Sequence, residues 1–492
     1  MKYQIFSNLA RYVFLGLCCM GLLTCSRNPV TGKKELMLLS ESQEISMGAE
    51  YDPSVVSQFG LYEDPKMQAF INEKGQEMAR ISHRPNLNYE FKILDSPVIN
   101  AFAVPGGYVY FTRGIMAHFN NEAEFAGVLG HEIGHITARH SAKQYSKQML
   151  AQVGLIAGVV ASSDFRQFAG VAQQGLGLLF LKFGRDNESQ SDKLGVEYST
   201  KIGYDASHMA QFFTTLKRMR NQQGGQQIPT FMSTHPDPAD RERNVERLAD
   251  KWQADLNKRN LNVNRESYLR MIDGLVFGED PRQGYVENDY FYHPEMKFQF
   301  PVPRGWQTAN SPAQFQMAER NGKAAMILTL SPQKELNAAS QAMIEKYNMT
   351  VISSRRITVN GLNALEVLGD IKNEQDPTRN VRLFTYLIDH NNLIFLLHGM
   401  ALVTDYPNFG FTFEQTMKNF RRLTDPAKLN AQPSRIRIKT VKSSGTLANV
   451  LKSFRVPQDK MEEHSLLNGM ELSKNVSRGS LIKIVEYGLH AN

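Results

Sequence analysis

The pattern of apolar and polar positions changes near the middle of the chain. From about Asn28 to Asp273, apolar residues recur mostly at helical spacing, with one short strand region. From about Tyr290 to Asp425 they alternate with polar residues, as in AAMILTL, NALEVLGDI and VRLFTYLI, which predicts strands. A helix is expected between or after these strands, in QAMIEKYNM or FTFEQTMKNF. The chain is therefore predicted to be an α+β protein, helix-rich first and sheet-forming later.

Two polar, proline-containing stretches divide the chain. GEDPRQGYVEN begins at Gly278, and LTDPAKLNAQPS follows the alternating strands. Together with the N-terminal pattern described below, these stretches predict four segments: a signal segment over 1–24, a helix-rich domain over 25–275, an α+β domain over 285–425 and a small domain over 435–487. A chain of 492 residues is long enough for several domains of ordinary size.

The N-terminus has the pattern of an export signal. Lys2 and Arg11 precede an apolar stretch from Tyr12 to Leu23, which is shorter than the roughly 20 residues of a membrane span. The stretch ends in LLTC, which is similar to a bacterial lipobox and predicts that Cys25 is lipidated and becomes the new N-terminus. The alternative is an ordinary signal peptide or an uncleaved anchor.

Composition narrows the classes of function. The formal charge of +7 is small for this length, and the chain has no dense Lys/Arg run with interleaved aromatic residues, so no nucleic-acid partner is expected. A second apolar stretch, LAQVGLIAGVVA over 150–161, breaks at SSD before it resumes. Neither half reaches about 20 residues, so we predict buried or amphipathic helices there. The alternative is an apolar flap that faces a substrate or a membrane.

Candidate chemistry lies in HEIGH, residues 131–135. His131 and His135 are four residues apart, so on a helix they share one face and can bind one Zn²⁺. Glu132 lies beside them and can act as the general base for a zinc-bound water. The motif alone is not decisive, because HExxH also occurs by chance in unrelated proteins.

The residues around this motif favour a helix. Asn121 is a candidate N-cap, with Glu124 three residues later in a capping-box arrangement. Gly130 and Gly134 cost helix propensity, and we attribute them to close packing around a metal. His140 comes nine residues after His131 and is predicted to be a surface or structural residue rather than a ligand.

A third ligand is available downstream, in FGRDNESQSDKLGVEY. Glu188 and Asp192 are four residues apart and would share a helical face. Glu188 could complete a His₂Glu zinc site, and Asp192 could then accept a hydrogen bond from a ligand histidine. On spacing alone, a solvated acidic pair is the better interpretation.

Taken together, these motifs resemble the M48 family of zinc metalloproteases. The resemblance includes HEIGHITARH, the pair Glu188 and Asp192, the strand INAFAVPGGYVYFTRG, the segment FMSTHPDPADRERNVERL and the stretch RNPVTGKKELMLLSESQEISMGAEYD. It covers roughly Asn28 to Asp250, and the last stretch is similar to the periplasmic lipoprotein members. Ser191 is a departure, since the family usually has Ala before the Asp.

The resemblance implies a mostly helical zincin-type domain with a small edge-strand sheet and one zinc ion per chain. The implied zinc ligands are His131, His135 and Glu188. Glu132 is implied as the general base and Asp192 as the partner of a ligand histidine. The remaining implied residues lie at the cleft and are His235, which can stabilise an oxyanion or approach the metal and silence it, its neighbour Arg241, and the edge-strand residue Asn100.

The last block, over 435–487, is similar to a LysM peptidoglycan-binding module of βααβ order. Ser444, Gly445 and Thr446 stand where the usual module has Gly-Asp-Thr, and a generic accessory domain is the alternative. The α+β block before it carries no chemistry that its residues identify.

The resemblance favours an endopeptidase of the bacterial envelope, anchored in the outer membrane through acylated Cys25, that cleaves misfolded or misassembled proteins. One alternative is an envelope chaperone or binding lipoprotein with a latched or regulatory zinc site. A second is a membrane enzyme that acts on lipidated peptides, against which the lack of a predicted membrane span counts.

Overall fold

The computed structural model describes residues 25–147, 183–222, 230–236, 240–374 and 376–488. The predicted signal segment and the apolar stretch over 150–161 lie outside these residues. The chain divides into two compact units. The helical unit is built mainly from Gly60–Phe277 together with Ile436–Val485, and the sheet unit is built mainly from Gly278–Arg435.

The helical unit confirms the expected helix-rich first half. Its helices before the sheet unit for which both ends are described are α1 Glu41–Phe59, α2 Pro65–Arg80, α3 Arg113–His118, α4 Glu122–Thr137, α5 Arg185–Lys201, α6 His208–Gln222, α7 Thr230–Thr234, α8 Arg241–Asp255 and α9 Arg265–Met271. Its strands in the same part of the chain are β1 Cys25–Arg27, β2 Lys34–Leu36, β3 Glu90–Leu94, β4 Ala101–Val104, β5 Tyr108–Thr112 and β6 Val276–Phe277.

A small sheet lies beside these helices. Its strand order is β3-β5-β4, with β3 parallel and β4 antiparallel to β5, so β4 is an edge strand. Gly106 and Gly107 both have positive φ in the turn between β4 and β5. A Cβ on Gly107 would lie 2.5 Å from the Asn88 carbonyl oxygen, so this turn requires glycine.

Helices α4 and α5 cross at a glycine contact that brings their polar residues together. A Cβ on Gly130 would lie 2.9 Å from the Cα of Gly195, and a Cβ on Gly134 would lie 3.1 Å from the Cβ of Leu194. The two glycines of α4 therefore make room for α5, and our attribution of them to packing around a metal is wrong. The same close approach allows side chains of α5 to reach the histidines of α4.

The last block of the chain belongs to the helical unit. Its two longer strands, β18 Ser434–Thr440 and β21 Leu481–Glu486, are separated in sequence by two helices and two short strands, and they are neighbours in a sheet that also contains β6. Lys483 of β21 is fully buried, and its Nζ donates to the carbonyl oxygens of Ala117 and Phe119 at 2.9 and 2.8 Å. These carbonyls end α3, directly before the N-cap of α4, so this block supports the start of that helix. Its elements are β18 Ser434–Thr440, β19 Gly445–Thr446, α13 Leu447–Ser453, α14 Met461–Leu467, β20 Asn475–Val476 and β21 Leu481–Glu486.

The sheet unit contains a seven-stranded antiparallel sheet and a four-stranded sheet, as the alternating pattern predicts. The strand orders are β10-β11-β12-β16-β15-β14-β13 and β17-β9-β8-β7. The strands are β7 Tyr285–Glu287, β8 Tyr290–His293, β9 Phe298–Pro301, β10 Gln307–Ser311, β11 Gln314–Ala318, β12 Ala324–Leu330, β13 Met349–Val359, β14 Leu362–Ile371, β15 Val381–His390, β16 Leu393–Leu402 and β17 Arg421–Arg422. The helices are α10 Leu336–Lys346, α11 Tyr406–Lys418 and α12 Pro426–Leu429.

The large sheet has an apolar core on each face. One core includes Phe298 and Phe300 of the four-stranded sheet and Phe413 of α11. The other core lies under α10 and includes Met343 and Val367. Among the described residues, none of the helices combines the length and the apolar character that a membrane span requires.

Candidate active site

Four buried side chains converge at the crossing of α4 and α5. The Nε2 atoms of His131 and His135 lie 3.0 Å apart, and each is 3.4 Å from a carboxylate oxygen of Glu188. His235, which follows α7, places its Nδ1 3.3 Å from His131 Nε2 and 3.2 Å from Glu188 Oε1. One donor atom from each of the four residues lies within 4.8 Å of the others.

This cluster fits one zinc ion. Tetrahedral Zn²⁺ with ligands at about 2.0–2.1 Å has donor–donor edges of about 3.3–3.4 Å. The separations of 3.0–3.4 Å between the donors of His131, His135, Glu188 and His235 are close to that value. Three imidazole nitrogens and one carboxylate are also ligands that zinc commonly takes. The structure thus places His235, which the resemblance implied could approach the metal, in one group with the three ligands expected from the sequence.

Local sequence explains why α4 presents its two histidines here. Asn121 is the N-cap, and its side-chain oxygen accepts from the Glu124 backbone N–H at 2.8 Å. Glu124 Oε2 accepts from the backbone N–H of Asn120 at 2.8 Å, one residue earlier than a capping box requires. The helix then runs to Thr137 without proline, so positions 131 and 135 share one face.

Glu132 lies next to the cluster and is fully buried. Neither of its carboxylate oxygens has a hydrogen-bond partner among the described residues, and Oε1 is 3.6 Å from His235 Nε2. Burial raises the pKa of Glu132, with partial compensation from His235 and His131. A buried carboxylate without a partner is costly, and one with a raised pKa is a strong base, which suits proton transfer.

Asp192 and Arg241 orient the ring of His131. His131 Nδ1 lies 2.9 Å from Asp192 Oδ1, and an ionised carboxylate only accepts, so Nδ1 carries the proton and Nε2 presents its lone pair to the cluster. Arg241 Nη2 donates to the same Oδ1 at 2.7 Å and lies 3.5 Å from Glu188 Oε2. Its guanidinium also stacks 3.8 Å above the Phe213 ring. Arg241 thus holds the carboxylates in place.

His135 has an equivalent support that our reading of the sequence missed. Its Nδ1 lies 3.0 Å from Nδ1 of His140, whose Nε2 lies 3.1 Å from Gln190 Oε1. Since an amide oxygen only accepts, His140 Nε2 carries a proton, His140 Nδ1 accepts from His135, and His135 Nε2 is left with its lone pair. We predicted that His140 is either a surface residue or a structural one. It is buried beside the site, so it is structural, and the expectation of a surface residue is wrong.

A left-handed residue explains the position of His140. Arg139 has φ 57° and ends the hydrogen-bonding pattern of α4, so the chain turns and a new helix starts at His140. Arg139 is fixed by an ion pair with the buried Glu44. The cost of placing a non-glycine residue in this conformation is about 1–2 kcal/mol, which these contacts offset.

Aromatic rings pack against two of the imidazoles. Phe183 stacks on His135 with ring centroids 4.2 Å apart, and Phe231 stacks on His235 with centroids 4.5 Å apart. Phe231 is tied to the strand region, because its backbone N–H donates to the Ile99 carbonyl at 3.0 Å. The two phenylalanine rings restrict the movement of the imidazoles and exclude water, which strengthens electrostatic interactions at the site.

Charge interactions distribute protons unevenly over the cluster. Burial lowers the pKa of His131, but hydrogen bonds with Asp192 and Glu188 outweigh it and raise the pKa to about 9. Burial lowers the pKa of His135 well below its usual value. Burial would raise the pKa of Glu188, but His235 and His131 hold it well below its usual value. The anionic carboxylate favours a cation, and a zinc ion bound at Nε2 of His131 would displace the proton that this nitrogen carries at neutral pH in the metal-free site.

Two further candidates are Asn100 and Cys25. Asn100 immediately precedes β4 and is buried, its backbone carbonyl accepts from Thr112, and its side-chain Oδ1 has no partner among the described residues. Cys25 begins β1 and pairs in register with Leu36 of β2. Asn100 is not one of the four donors.

Known proteins share the region that builds this site. The family model described as Peptidase family M48 matches residues 65–249. A putative beta-barrel assembly-enhancing protease of Vibrio cholerae is 29% identical over 211 residues, which cover 41% of this chain and 43% of the relative. The beta-barrel assembly-enhancing protease of Yersinia pestis is 29% identical over 225 residues, covering 43% and 45%. The mitochondrial metalloendopeptidase OMA1 of Arabidopsis thaliana is 28% identical over 177 residues, covering 36% and 35%.

The match is confined to part of each relative. The chain spans less than half the length of these three proteins. The matched family region contains the residues of the cluster and Glu132, and it ends before the sheet unit. The resemblance to M48 metalloproteases is confirmed for this region.

Proposed function

Because residues 65–249 form a peptidase family M48 domain, we propose that the chain is a zinc-dependent endopeptidase. One observation carries the proposal: four buried donors converge at zinc-ligand spacing beside the Glu132 carboxylate, which accepts no hydrogen bond from the described residues. A buried cluster of this kind is expensive to maintain unless a cation neutralises it. Zinc and a general base are the parts that metal-assisted peptide hydrolysis requires.

Each residue of the site has a distinct proposed role in peptide hydrolysis. His131, His135 and Glu188 would hold the zinc ion, which when bound lowers the pKa of water and polarises a carbonyl. Glu132 takes a proton from the attacking water and delivers it to the leaving nitrogen. Asp192 and Arg241 keep His131 in the tautomer that offers Nε2, and His140 does the same for His135.

His235 gives the site a resting state. A catalytic zinc site keeps one position open for water or substrate, whereas His235 Nδ1 completes the group of four donors here. We propose that His235 occupies the fourth position at rest and leaves it when a substrate enters, after which its ring can donate to the oxyanion.

The same geometry favours a second candidate function. If His235 never leaves the fourth position, the protein would be an envelope binding protein with a permanently latched site.

The edge strand β4 is the proposed binding place for substrate. An extended peptide can add to an edge strand through backbone hydrogen bonds, which select for an extended chain rather than for a particular sequence. β4 is an edge strand of its sheet, and the side-chain oxygen of Asn100, just before β4, has no hydrogen-bond partner among the described residues. We assign Asn100 to substrate positioning at this edge.

The setting of the protein is also proposed. Two bacterial relatives carry names that refer to beta-barrel assembly, which supports unfolded or misassembled envelope proteins as substrates. The lipobox-like LLTC before Ser26 supports an outer-membrane anchor on Cys25, on the periplasmic side. The two helices between the longer strands β18 and β21 of the last block support a LysM-like module that binds peptidoglycan.

The test compares the full chain with its Glu132→Gln variant. We expect zinc in both proteins, and cleavage of casein at least about 100-fold slower in the variant, because the general base is lost while the ligands remain. Glu266→Gln, at an exposed pair on α9, is the matched control and should cleave like the parent. Zinc in every protein with no casein cleavage in the parent or in His235→Ala would instead favour the latched binding protein.

A further inference from the structure

The strand β13 is an edge of the seven-stranded sheet, and no other strand of the described residues pairs with its outer side. It is 11 residues long, and its side chains from Thr350 to Arg356 are all exposed, so both faces of this stretch are in water. Val351 and Ile352 are 41% and 51% exposed. Long exposed edges are places where another extended chain can pair, and proteins usually cover or blunt them.

The hairpin after β13 fixes which backbone groups point outward. Asn360 and Gly361 both have positive φ and join Val359 to Leu362 in a two-residue turn, the geometry of a type I′ hairpin. The residues that flank such a turn exchange hydrogen bonds, and alternate residues do so along the ladder. Positions 353, 355, 357 and 359 therefore bond to β14, and the N–H and C=O groups of 354, 356 and 358 face the open edge.

A bulge limits the usable edge to its second half. The register of β13 against β14 shifts between Val351 and Ser353, with Ile352 as the extra residue. A bulge twists an edge and interrupts pairing. The regular stretch available for an added strand is therefore 353–359.

Charge selects the chain that can pair with this stretch. β13 carries Arg355 and Arg356 and no acidic residue. Arg355 is neutralised by Glu366 on β14, whereas Arg356 donates to the neutral amide of Asn337. Charges directly across a strand pair matter, so an acidic residue opposite Arg356 is favoured and a basic one is not. A second copy would bring another basic edge from a chain of formal charge +7.

We propose that residues 353–359 of β13 bind an extended, acid-containing segment of an unfolded polypeptide by strand addition. The identity of this ligand rests on the proposed function, because an endopeptidase for unfolded proteins must hold extended chain. The exposed side chains at the start of this stretch are polar, namely Ser353, Ser354, Arg355 and Arg356, so backbone hydrogen bonds and the charge of Arg356 supply the recognition. This stretch belongs to the sheet unit, whereas the residues of the proposed cleavage chemistry belong to the helical unit.

The test measures binding without cleavage. The full chain carrying Glu132→Gln is titrated into fluorescently labelled, reduced and carboxymethylated α-lactalbumin, a permanently unfolded acidic protein, and anisotropy gives the Kd. Ser354→Pro removes an outward N–H, which an edge strand tolerates, and should raise the Kd about five- to tenfold. The matched Ser354→Ala keeps that N–H and should bind like the parent.

Each outcome decides one point. Equal Kd values for Ser354→Pro and Ser354→Ala would overturn the proposal, and so would a change in molar mass of the proline variant, because a second copy would then occupy the edge. If circular dichroism shows that Ser354→Pro does not fold, Arg356→Glu decides: the proposal expects weaker binding at low salt, with the difference shrinking at high salt. An unchanged Kd in that variant overturns it. The cleavage assay of the parent tests the proposed function independently.

Discussion

A group of ionisable side chains in the helical unit and an ion pair in the sheet unit differ in their exposure to water. In the helical unit, His131, Glu188 and Arg241 are buried within a few ångströms of one another. In the sheet unit, the pair Arg382–Asp370 joins neighbouring strands with about a quarter of each side chain exposed. Burying an ion costs several kcal/mol, whereas a surface pair contributes about 0–1 kcal/mol.

This difference identifies the site without reference to any relative. A buried group of three carboxylates, an arginine and several histidines at the crossing of two helices is typical of a functional site, because ionisable side chains are costly to bury. The surface pairs of the sheet unit require no such explanation, since they help to fix register and solubility. Variants in the cluster should therefore change metal binding and activity, while variants of the surface pairs should change little.

The largest expected effect is the loss of a ligand. Four-ligand zinc sites bind with about 10–16 kcal/mol, so one ligand accounts for about 3–4 kcal/mol, or roughly 100- to 1000-fold in affinity. We expect that loss for Glu188→Gln in a competition with a chromophoric chelator. Glu197→Gln on the same helix, whose partner is the partly exposed Lys201, should keep the affinity of the parent. Parent-like zinc affinity in Glu188→Gln would remove Glu188 from the site.

His398 is an exception in the sheet unit, because it is ionisable and buried. It should make the folding stability of this unit sensitive to acid. Burial lowers the pKa of His398 to about 4. The unfolded chain takes up the proton near pH 6.5 and the folded chain only near pH 4, so stability is present at neutral pH and falls as the pH is lowered through this window. Between pH 7 and pH 5 this one residue should cost about 2 kcal/mol.

The measurement can be confined to the sheet unit. In a Trp252→Phe background the remaining tryptophan is Trp306, which packs against the core of the large sheet and reports its urea unfolding. His398→Gln should reduce the difference in unfolding free energy between pH 7 and pH 5 by about 2 kcal/mol. An unchanged difference would mean that His398 is protonated in the folded protein.

A smaller loss of zinc affinity is expected for a residue that holds a zinc ligand in place without contacting the zinc ion itself. His140→Gln removes the Nδ1 acceptor of His135, and loss of such a partner costs about tenfold or more in metal affinity. Ser191→Ala removes only a hydroxyl 3.3 Å from the same His140 nitrogen and should have less effect. Identical zinc affinities for all three proteins would show that the ring of His135 is fixed by packing on Phe183 alone.

The smallest effect should come from the surface. Arg382→Gln removes a bidentate pair with Asp370 and should lower the unfolding free energy by less than about 1 kcal/mol, with zinc content unchanged. Urea unfolding and metal analysis of the same preparation check both parts. A loss of several kcal/mol would show that the sheet unit depends on its pairs as the helical unit depends on its buried charges.

Local patterns predicted the features that depend on neighbouring residues. The N-cap Asn121, the helix through HEIGH and the alternating strands follow from spacing over a few positions. Glu188 and Asp192 were different, because spacing alone favoured a solvated pair and only the resemblance placed them at the site. Their burial depends on the approach of α5 to Gly130, a contact between residues far apart in sequence.

His140 shows where pattern reading fails. Counted along a continuous helix, it points away from His131, and nothing in HITARH requires a break. The break comes from the left-handed Arg139, which a distant partner, Glu44, holds in place. The position of β12 beside β16 in the large sheet is also set by contacts between segments far apart in sequence, so local patterns could not predict it.

The most direct test of the account is the zinc content of the purified full chain, measured by plasma mass spectrometry after exhaustive dialysis against metal-free buffer. Four donors at tetrahedral spacing predict about one zinc per chain in the parent and far less in Glu188→Gln. A parent without stoichiometric zinc would contradict the assignment of these residues as a metal site, and the proposed peptidase chemistry with it.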